Sequence, residues 1–308
     1  MTTVAVVVPT YRRPESLATC LAALCAQDRA PDEVLVVGRR GDADSARVAA
    51  AAPLRCTYLE VDEPGVLAAM AAGARASSSE VVCFTDDDAV APPSWVAGLL
   101  ALLDVGPGIG AAGGRDELFD DSVPRVEERR SDVGRLTWFG RHVGNHHLGA
   151  GPRREVAFLK GVNVAYRRGA LGVPRGLRGA GAQAHYEIAL GRFARSHGFT
   201  LLYDPALTVQ HRPAARRGED TRVDPSAAAV ADAAYNLVLA IGGARGLVRC
   251  AYAVLAGDRG CPGVLRGLVA LAGRDTATAR KVVPSMRGTV AGASALLRGR
   301  GLTYETFD

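Results

Sequence analysis

Residues 81–88 read VVCFTDDD, a short apolar run followed at once by three carboxylates. The run has the β-branched and aromatic side chains typical of a buried strand. In an open α/β sheet, ligands bind outside the carboxyl ends of the strands. Three adjacent carboxylates repel one another unless a cation or hydrogen-bond donors compensate. The stretch therefore predicts a site where a hard divalent ion bridges a diphosphate; a solvated acidic turn is the alternative.

The rest of the chain alternates between strand-like and helix-like patterns. We predict strands at 4–8, 34–37, 57–61 and 81–84, with later ones at 109–112, 156–159, 163–166, 201–203 and 207–210. Apolar residues at helical spacing predict helices at 14–24, 42–52, 66–76, 92–103 and 186–197. This alternation is typical of an α/β fold with a doubly wound, mostly parallel, Rossmann-like sheet.

The C-terminal part of the chain differs in composition and charge. At roughly 150 residues per domain, 308 residues correspond to about two domains. We predict an α/β domain over 1–225 and a helical extension, rich in Ala and Leu, over 226–308. The net charge is +5, but residues 244–300 carry ten basic and two acidic side chains. This uneven charge argues against a nucleic-acid binder. It leaves the extension either packed on the first domain or facing anionic lipid or a phosphorylated acceptor.

The cysteines and the N-terminus bear on the compartment. The six cysteines form no CxxC pair, which indicates reduced, buried thiols and argues against a zinc site. The sequence begins without a basic region followed by an apolar one, and no run reaches about 18 apolar residues. We therefore expect a cytoplasmic protein without a transmembrane helix, with contact at the inner face of the membrane left open.

Two residues far from the aspartates are further candidates. His211 follows a predicted strand whose end can lie beside residues 86–88, where its imidazole would complete the coordination of an ion. Glu187 lies near the start of a predicted helix and has the chemistry of a general base. The alternatives are a surface histidine and an exposed helical glutamate. A cluster around Trp138 predicts either an acceptor pocket or a polar loop: His142, Asn145, His146 and His147.

In their order along most of residues 3–217, these segments resemble family-2 glycosyltransferases of the GT-A fold. VVVPTYRR at 6–13 looks like the opening strand and nucleotide loop, and FTDDD at 84–88 looks like the DxD element. GGR at 113–115 resembles the segment that lines the donor sugar, and KGVNVAYRR at 160–168 is similar to the acceptor-side stretch. Residues 203–211 resemble the strand that delivers a metal-binding histidine.

The resemblance implies an inverting transfer of a single sugar from a nucleoside-diphosphate sugar (UDP, GDP or dTDP) to a hydroxyl acceptor. The Q-x-x-R-W sequence of processive members is absent. Mg²⁺ or Mn²⁺ would be held by Asp88 and His211, with Asp86, and Glu187 would act as the base. The remaining implied contacts are with the donor (Pro9, Thr10, Tyr11, Arg12, Arg39, Asp86, Asp87 and Gly114) and with the acceptor (Trp138, Asn163 and His185).

The sequence also departs from the family pattern. Gly38-Arg39-Arg40 stands where members usually carry acidic residues that hold the base, so the nucleotide stays open. Two other functions are weighed. Asp86-x-Asp88-x-Val90 matches the nucleophile loop of haloacid-dehalogenase-like phosphotransferases, in which Asp86 would be the nucleophile. The other is a non-catalytic helical adaptor at a membrane surface, docked through residues 226–300. The same helices are also compatible with a lid or with the surface of a homodimer.

Overall fold

The computed structural model describes residues 2–120, 123–179, 181, 183–213 and 225–307. Its strands are β1 (Val4–Pro9), β2 (Glu33–Arg39), β3 (Thr57–Val61), β4 (Val81–Phe84), β5 (Ala89–Val90), β6 (Ile109–Asp120), β7 (Val123–Pro124), β8 (Arg135–Leu136), β9 (His142–Val143), β10 (Arg154–Val156), β11 (Val164–Arg167), β12 (Gly172–Arg175), β13 (Thr200–His211) and β14 (Thr303–Thr306). Its α-helices are α1 (Pro14–Cys25), α2 (Ala43–Ala50), α3 (Val66–Ala76), α4 (Trp95–Leu103), α5 (Tyr186–Ser196), α6 (Ala227–Ile241), α7 (Gly243–Leu255), α8 (Val264–Ala272), α9 (Thr276–Arg280) and α10 (Val282–Leu297).

The main sheet has the strand order β10-β13-β6-β11-β4-β1-β2-β3. Strands β1 to β4 are parallel, and β13 is parallel to β6, whereas β11 is antiparallel to both its neighbours. Helices α1, α2 and α4 pack on one face of the sheet, and α3 and α5 pack on the other. The predicted doubly wound, mostly parallel α/β fold is therefore confirmed.

The sequence of β1 shows why the sheet is buried on both sides. Ala5 and Val7 belong to the core on one face, while Val4, Val6 and Val8 belong to the core on the other, as the period of two in a strand requires. Helix α3 packs closely because it has small residues. A Cβ on Gly73 would lie 2.4 Å from Val7 Cγ1.

Two predicted strands are one in the structure. Residues 201–203 and 207–210 were expected to form separate strands, but β13 runs from Thr200 to His211 with a register shift between Asp204 and Thr208. The local irregularity around Pro205 broke the apolar pattern in the sequence without ending the strand. The strand predicted at 156–159 is shifted toward the N-terminus, as β10.

The helical extension is present and packs on the first part of the chain. Residues of α6, such as Leu237 and Ile241, share a small core with Ile188 and Ala189 of α5. The extension also contains a strand that we did not predict, since β14 pairs antiparallel with β12. Within the described ranges, the chain has no helix with the length and apolar content to cross a bilayer. The division into two domains at residue 225 stays a prediction.

Candidate active site

The strand register brings the predicted site together at one edge of the sheet. Strands β1 and β4 are neighbours, with Val7 paired to Phe84, so the loops that follow them lie side by side. After the aspartates the chain forms β5, which pairs with the end of β13 so that Ala89 lies opposite His211. The backbone N–H of Arg212 donates to the Asp88 carbonyl at 2.9 Å. This pairing places the imidazole beside the acidic loop.

Asp86, Asp88 and His211 form a candidate cation site. One ligand atom from each of the three lies within 4.8 Å of the other two. His211 Nε2 is 3.3 Å from Asp88 Oδ1, and both side chains are largely buried. Carboxylate oxygens suit Mg²⁺ and Mn²⁺, and an imidazole nitrogen favours the transition metal. The donor set therefore fits a divalent cation, Mn²⁺ better than Mg²⁺.

Asp87 connects the two loops. Its Oδ2 accepts a hydrogen bond from the Thr10 hydroxyl at 2.8 Å, and its Oδ1 accepts one from Arg13 Nη1 at 3.0 Å. Burial raises the pKa of Asp87 to about 6, together with the charges of Asp88 and Asp86, while Arg13 and Thr10 oppose the rise. Both oxygens thus fasten the loop after β1 to the loop after β4. The sequence predicted a donor contact for Asp87 and did not foresee this bracing role.

Asp116 on β6 contacts the ring nitrogen of His211 that faces away from Asp88. Asp116 Oδ2 lies 3.3 Å from His211 Nδ1 and accepts a hydrogen bond from Lys160 Nζ. Asp116 is fully buried. Burial alone would raise its pKa, but Lys160 and His211 outweigh it and hold the pKa well below its usual range. Burial opposes protonation of His211, yet its hydrogen bonds with Asp116 and Asp88 raise its pKa to about 9.

Sequence reasoning missed Asp116 and the role of Lys160. Asp116 comes directly after the Gly113-Gly114-Arg115 segment that was linked to the donor sugar. The missing information was the pairing of β6 with β13, which sets Leu118 opposite His211 and brings Asp116 within reach of the imidazole. A ligating histidine usually donates its second N–H to a carboxylate, which fixes the ring orientation. Asp116 occupies that position.

Glu187 and His185 line a cavity of about 250 Å³. Glu187 is in the first turn of α5, where the helix dipole favours a carboxylate. The other lining residues are His142, Gly144, Asn145, His146, His147, Phe158, Leu159, Lys160 and Ile188. Lys160 also binds Asp116, so the cavity adjoins the cation site. The structure thus joins the candidate base, the histidine cluster and the aspartates in one region.

The donor-side residues lie around the loop after β1. Pro9 ends β1, and Thr10 binds Asp87. The Tyr11 ring is exposed, with the guanidinium carbons of Arg12 and Arg39 5.2 Å and 5.6 Å from its centroid. An aromatic face with two guanidinium groups suits a nucleoside base or ribose beside phosphate. This cluster lies on the same edge of the sheet as the aspartates.

Of three residues predicted to contact substrate, two have evident packing roles and the third is largely exposed. Gly114 lies against β13, where an added Cβ would be 1.8 Å from the Leu207 carbonyl oxygen. Asn163 is fully buried; its Oδ1 accepts from Trp95 Nε1 at 2.8 Å, and its Nδ2 donates to the carbonyls of Arg115 and Leu207. Trp138 is 73% exposed and packs edge-on against Phe139. Neither Asn163 nor Trp138 is among the residues that line the described cavity.

The C-terminal extension supports one wall of the cavity. The His142 ring lies edge-on to the His185 ring at 4.9 Å, and His142 Nδ1 is 3.5 Å from Asp258 Oδ2. Asp258 also accepts a hydrogen bond from the buried Arg249 of α7. Burial would raise the pKa of Asp258, but His142 and Arg249 lower it to about 2. A charged pair in the extension therefore holds the histidine that contacts His185.

Comparison with known proteins gives a family and a fold. The model of the family described as "Glycosyltransferase like family 2" matches residues 2–224. No curated protein matches the chain in sequence.

Several solved structures have a similar fold. GalNAc-T7 with UDP, GalNAc and Mn²⁺ is 14% identical with a TM-score of 0.57; the match covers 78% of this chain and 48% of that one, so this chain spans about half its length. S. aureus TarS in complex with UDP-GlcNAc is 14% identical with a TM-score of 0.55, covering 78% and 66%. A mannosyltransferase from Pyrobaculum calidifontis, in complex with GDP-Man and Mn²⁺, is 20% identical with a TM-score of 0.52, covering 97% and 88%. At these identities the likeness shows the shared fold.

Proposed function

Since this chain belongs to glycosyltransferase family 2 and is a glycosyltransferase, we propose that it moves one sugar from a nucleoside-diphosphate sugar to a hydroxyl acceptor with inversion, using a divalent cation. The observation that carries the proposal is the convergence of Asp86, Asp88 and His211 within 4.8 Å at the carboxyl edge of the sheet. These residues come from two distant segments, and their types match what a diphosphate-bound cation requires.

The first task of the site is to stabilise the diphosphate as it leaves. A divalent cation bound there would supply Lewis-acid stabilisation of the charge that develops on the departing diphosphate. Asp86 and Asp88 would hold it through carboxylate oxygens, and His211 would hold it through Nε2. Asp116 holds the other ring nitrogen at 3.3 Å and so fixes the ring orientation. Lys160 partly neutralises Asp116, which keeps the negative charge of the region from excluding a diphosphate.

The acceptor is activated at the cavity. Glu187 is the carboxylate that lines it, and it would take the proton of the acceptor hydroxyl as that oxygen attacks the anomeric carbon. Attack from the face opposite the diphosphate gives inversion. Burial raises the pKa of the Tyr166 hydroxyl, and the charge of Glu187 adds to that rise. His185, held by His142, is positioned to orient the acceptor.

The donor nucleoside is proposed to lie against Tyr11 between Arg12 and Arg39. The solved structures with a similar fold hold UDP, UDP-GlcNAc or GDP-Man, and this supports a nucleoside diphosphate as the common donor element. The nucleotide stays open among UDP, GDP and dTDP because this chain has Arg39 and Arg40 where the family resemblance implies acidic residues that hold the base.

The two alternatives are not favoured. A phosphotransferase of the haloacid-dehalogenase type would use Asp86 as a nucleophile, whereas the structure groups Asp86 with Asp88 and His211. A non-catalytic adaptor does not account for the family match over residues 2–224.

Thermal unfolding tests the proposal. A ligand that binds the native state raises its melting temperature, so UDP, GDP or dTDP should stabilise the protein more with Mn²⁺ than without it. Asp88→Asn should abolish the Mn²⁺-dependent part, and Asp44→Asn, an exposed carboxylate paired with Arg47, is the matched control. Stabilisation by every nucleotide that is independent of Mn²⁺ and of Asp88 would contradict the proposed cation site.

A further inference from the structure

Helix α8 buries its small apolar residues and exposes its large ones, which is the reverse of an ordinary surface helix. Gly267 and Ala270 are its buried residues, and a Cβ on Gly267 would lie 2.5 Å from Val282 Cγ2 of α10. The large side chains point to solvent instead: Val264, Leu265, Leu268, Val269 and Leu271 are between 43% and 73% exposed. A helix that only packs on its own protein buries its large apolar face. The exposed face therefore indicates a partner.

The surroundings of this face are basic. Arg266 lies on α8 itself, and Arg259, Arg274 and Arg280 lie in the segments that flank α8 along the chain; all four are exposed. The two acidic residues of 244–300 are both engaged, Asp258 with Arg249 and Asp275 as the N-terminal cap of α9. Among the described residues, no acidic side chain forms a salt bridge with any of these four arginines. Their charge is thus available to an anionic partner.

The exposed aliphatic side chains and the arginines together indicate which kind of partner binds this face. A second copy would bring two segments of net charge +8 together, and like charges across an interface are unfavourable. Large aliphatic side chains on an exposed helix, with arginines around them, are typical of a helix that lies in the surface of an anionic bilayer.

We propose that α8 and the arginines around it form a docking surface for an anionic lipid bilayer. The aliphatic side chains of Leu265, Leu268 and Val269 enter the headgroup boundary, and the guanidinium groups bind lipid phosphates. The loop that leads into α8 contains Asp258, whose carboxylate is 3.5 Å from His142 at the cavity wall. Docking therefore holds the acceptor side of the site near the membrane surface. The proposal goes beyond the glycosyl transfer and does not depend on it.

Sedimentation with vesicles tests the proposal without any donor or acceptor. The full chain should sediment with vesicles of phosphatidylcholine and phosphatidylglycerol, and much less with phosphatidylcholine alone. Each arginine near the surface contributes about fivefold to partitioning, so binding should fall steeply near 1 M salt, where the Debye length is about 3 Å.

Two sets of variants locate the surface. The double variant Leu268→Asp/Val269→Asp should reduce partitioning at least about tenfold, because it removes two aliphatic side chains that would enter the headgroup boundary and adds charge repulsion. Arg266→Glu/Arg274→Glu should reduce it at least as much. Val126→Asp, at a 98% exposed valine outside the extension, is the matched control and should bind normally. Unchanged melting temperatures would show that the exposed substitutions leave the fold intact.

Three results would overturn the proposal. They are equal binding to neutral vesicles, vesicle binding that neither double variant weakens, and a dimer in solution that Leu268→Asp/Val269→Asp dissociates while vesicles fail to compete for the same face. If a double variant has a lower melting temperature than the wild type, the vesicle partitioning of the single variant Arg266→Gln, at an exposed residue, is measured in its place.

Discussion

Replacing Asp116 by Asn changes one fully buried carboxylate that contacts two cationic groups. The side chain keeps its size but loses the charge that orients His211 through Nδ1 and receives Lys160. Removing such a supporting partner typically lowers metal affinity about 10- to 100-fold, which equals about 1.4–2.7 kcal/mol. Lys160 is 27% exposed and can turn to water, so we expect the loss of folding stability to be at the low end for a broken buried pair.

The assay is a titration of wild type and Asp116→Asn with Mn²⁺, by calorimetry or by the electron paramagnetic resonance signal of the free ion. Glu117→Gln is the control, because Glu117 is the next residue on β6, points to the opposite face and pairs with Arg115. We expect Asp116→Asn to weaken Mn²⁺ binding 10- to 100-fold and Glu117→Gln to leave it nearly unchanged. Equal Mn²⁺ affinity in wild type and Asp116→Asn would refute the positioning role.

Two further predictions follow from Glu187 and Asp258. Glu187→Gln should lower kcat at least about 100-fold while the dissociation constant of the donor stays nearly constant, as steady-state kinetics and donor titration would show. An equal loss of kcat and of donor affinity would instead indicate a binding role. The lowered pKa of Asp258, about 2 against an ordinary 3.8, stabilises the folded state by about 2 kcal/mol above pH 4. Asp258→Asn should therefore be less stable to urea at pH 7, and the difference should close as the pH falls from 4 toward 2; a difference independent of pH would contradict it.

Much of the fold was predictable because the signals are local. The apolar runs that became β1, β2, β3 and β4 are bounded by turns and helices, so composition and period located them within a residue or two. The C-terminal strand β14 was missed because its pairing with β12 is a long-range contact. The reading of residues 201–211 as two strands was wrong for the same reason, since pairing with β6 holds them as one strand across the irregularity.

Prediction of the candidate site met the same limit, because long-range strand pairing is not visible in the sequence. Asp86, Asp88 and His211 carried recognisable chemistry, and the structure brings them together. Asp116 and Lys160 carried no separate signal, because only the strand register shows which buried carboxylate reaches His211. The amide of Asn163 binds Trp95 and two backbone carbonyls, a packing role that its motif did not indicate, and its acceptor contact stays a prediction. The compartment and the oligomeric state stay predictions.

A crystal structure grown with Mn²⁺ and a nucleoside diphosphate, with data collected at the manganese absorption edge, tests the cation site directly. We predict an anomalous peak bounded by Asp86, Asp88 and His211 Nε2, with His211 Nδ1 still in contact with Asp116. A bound nucleotide with no manganese among these three side chains, or with manganese at another position, would contradict it.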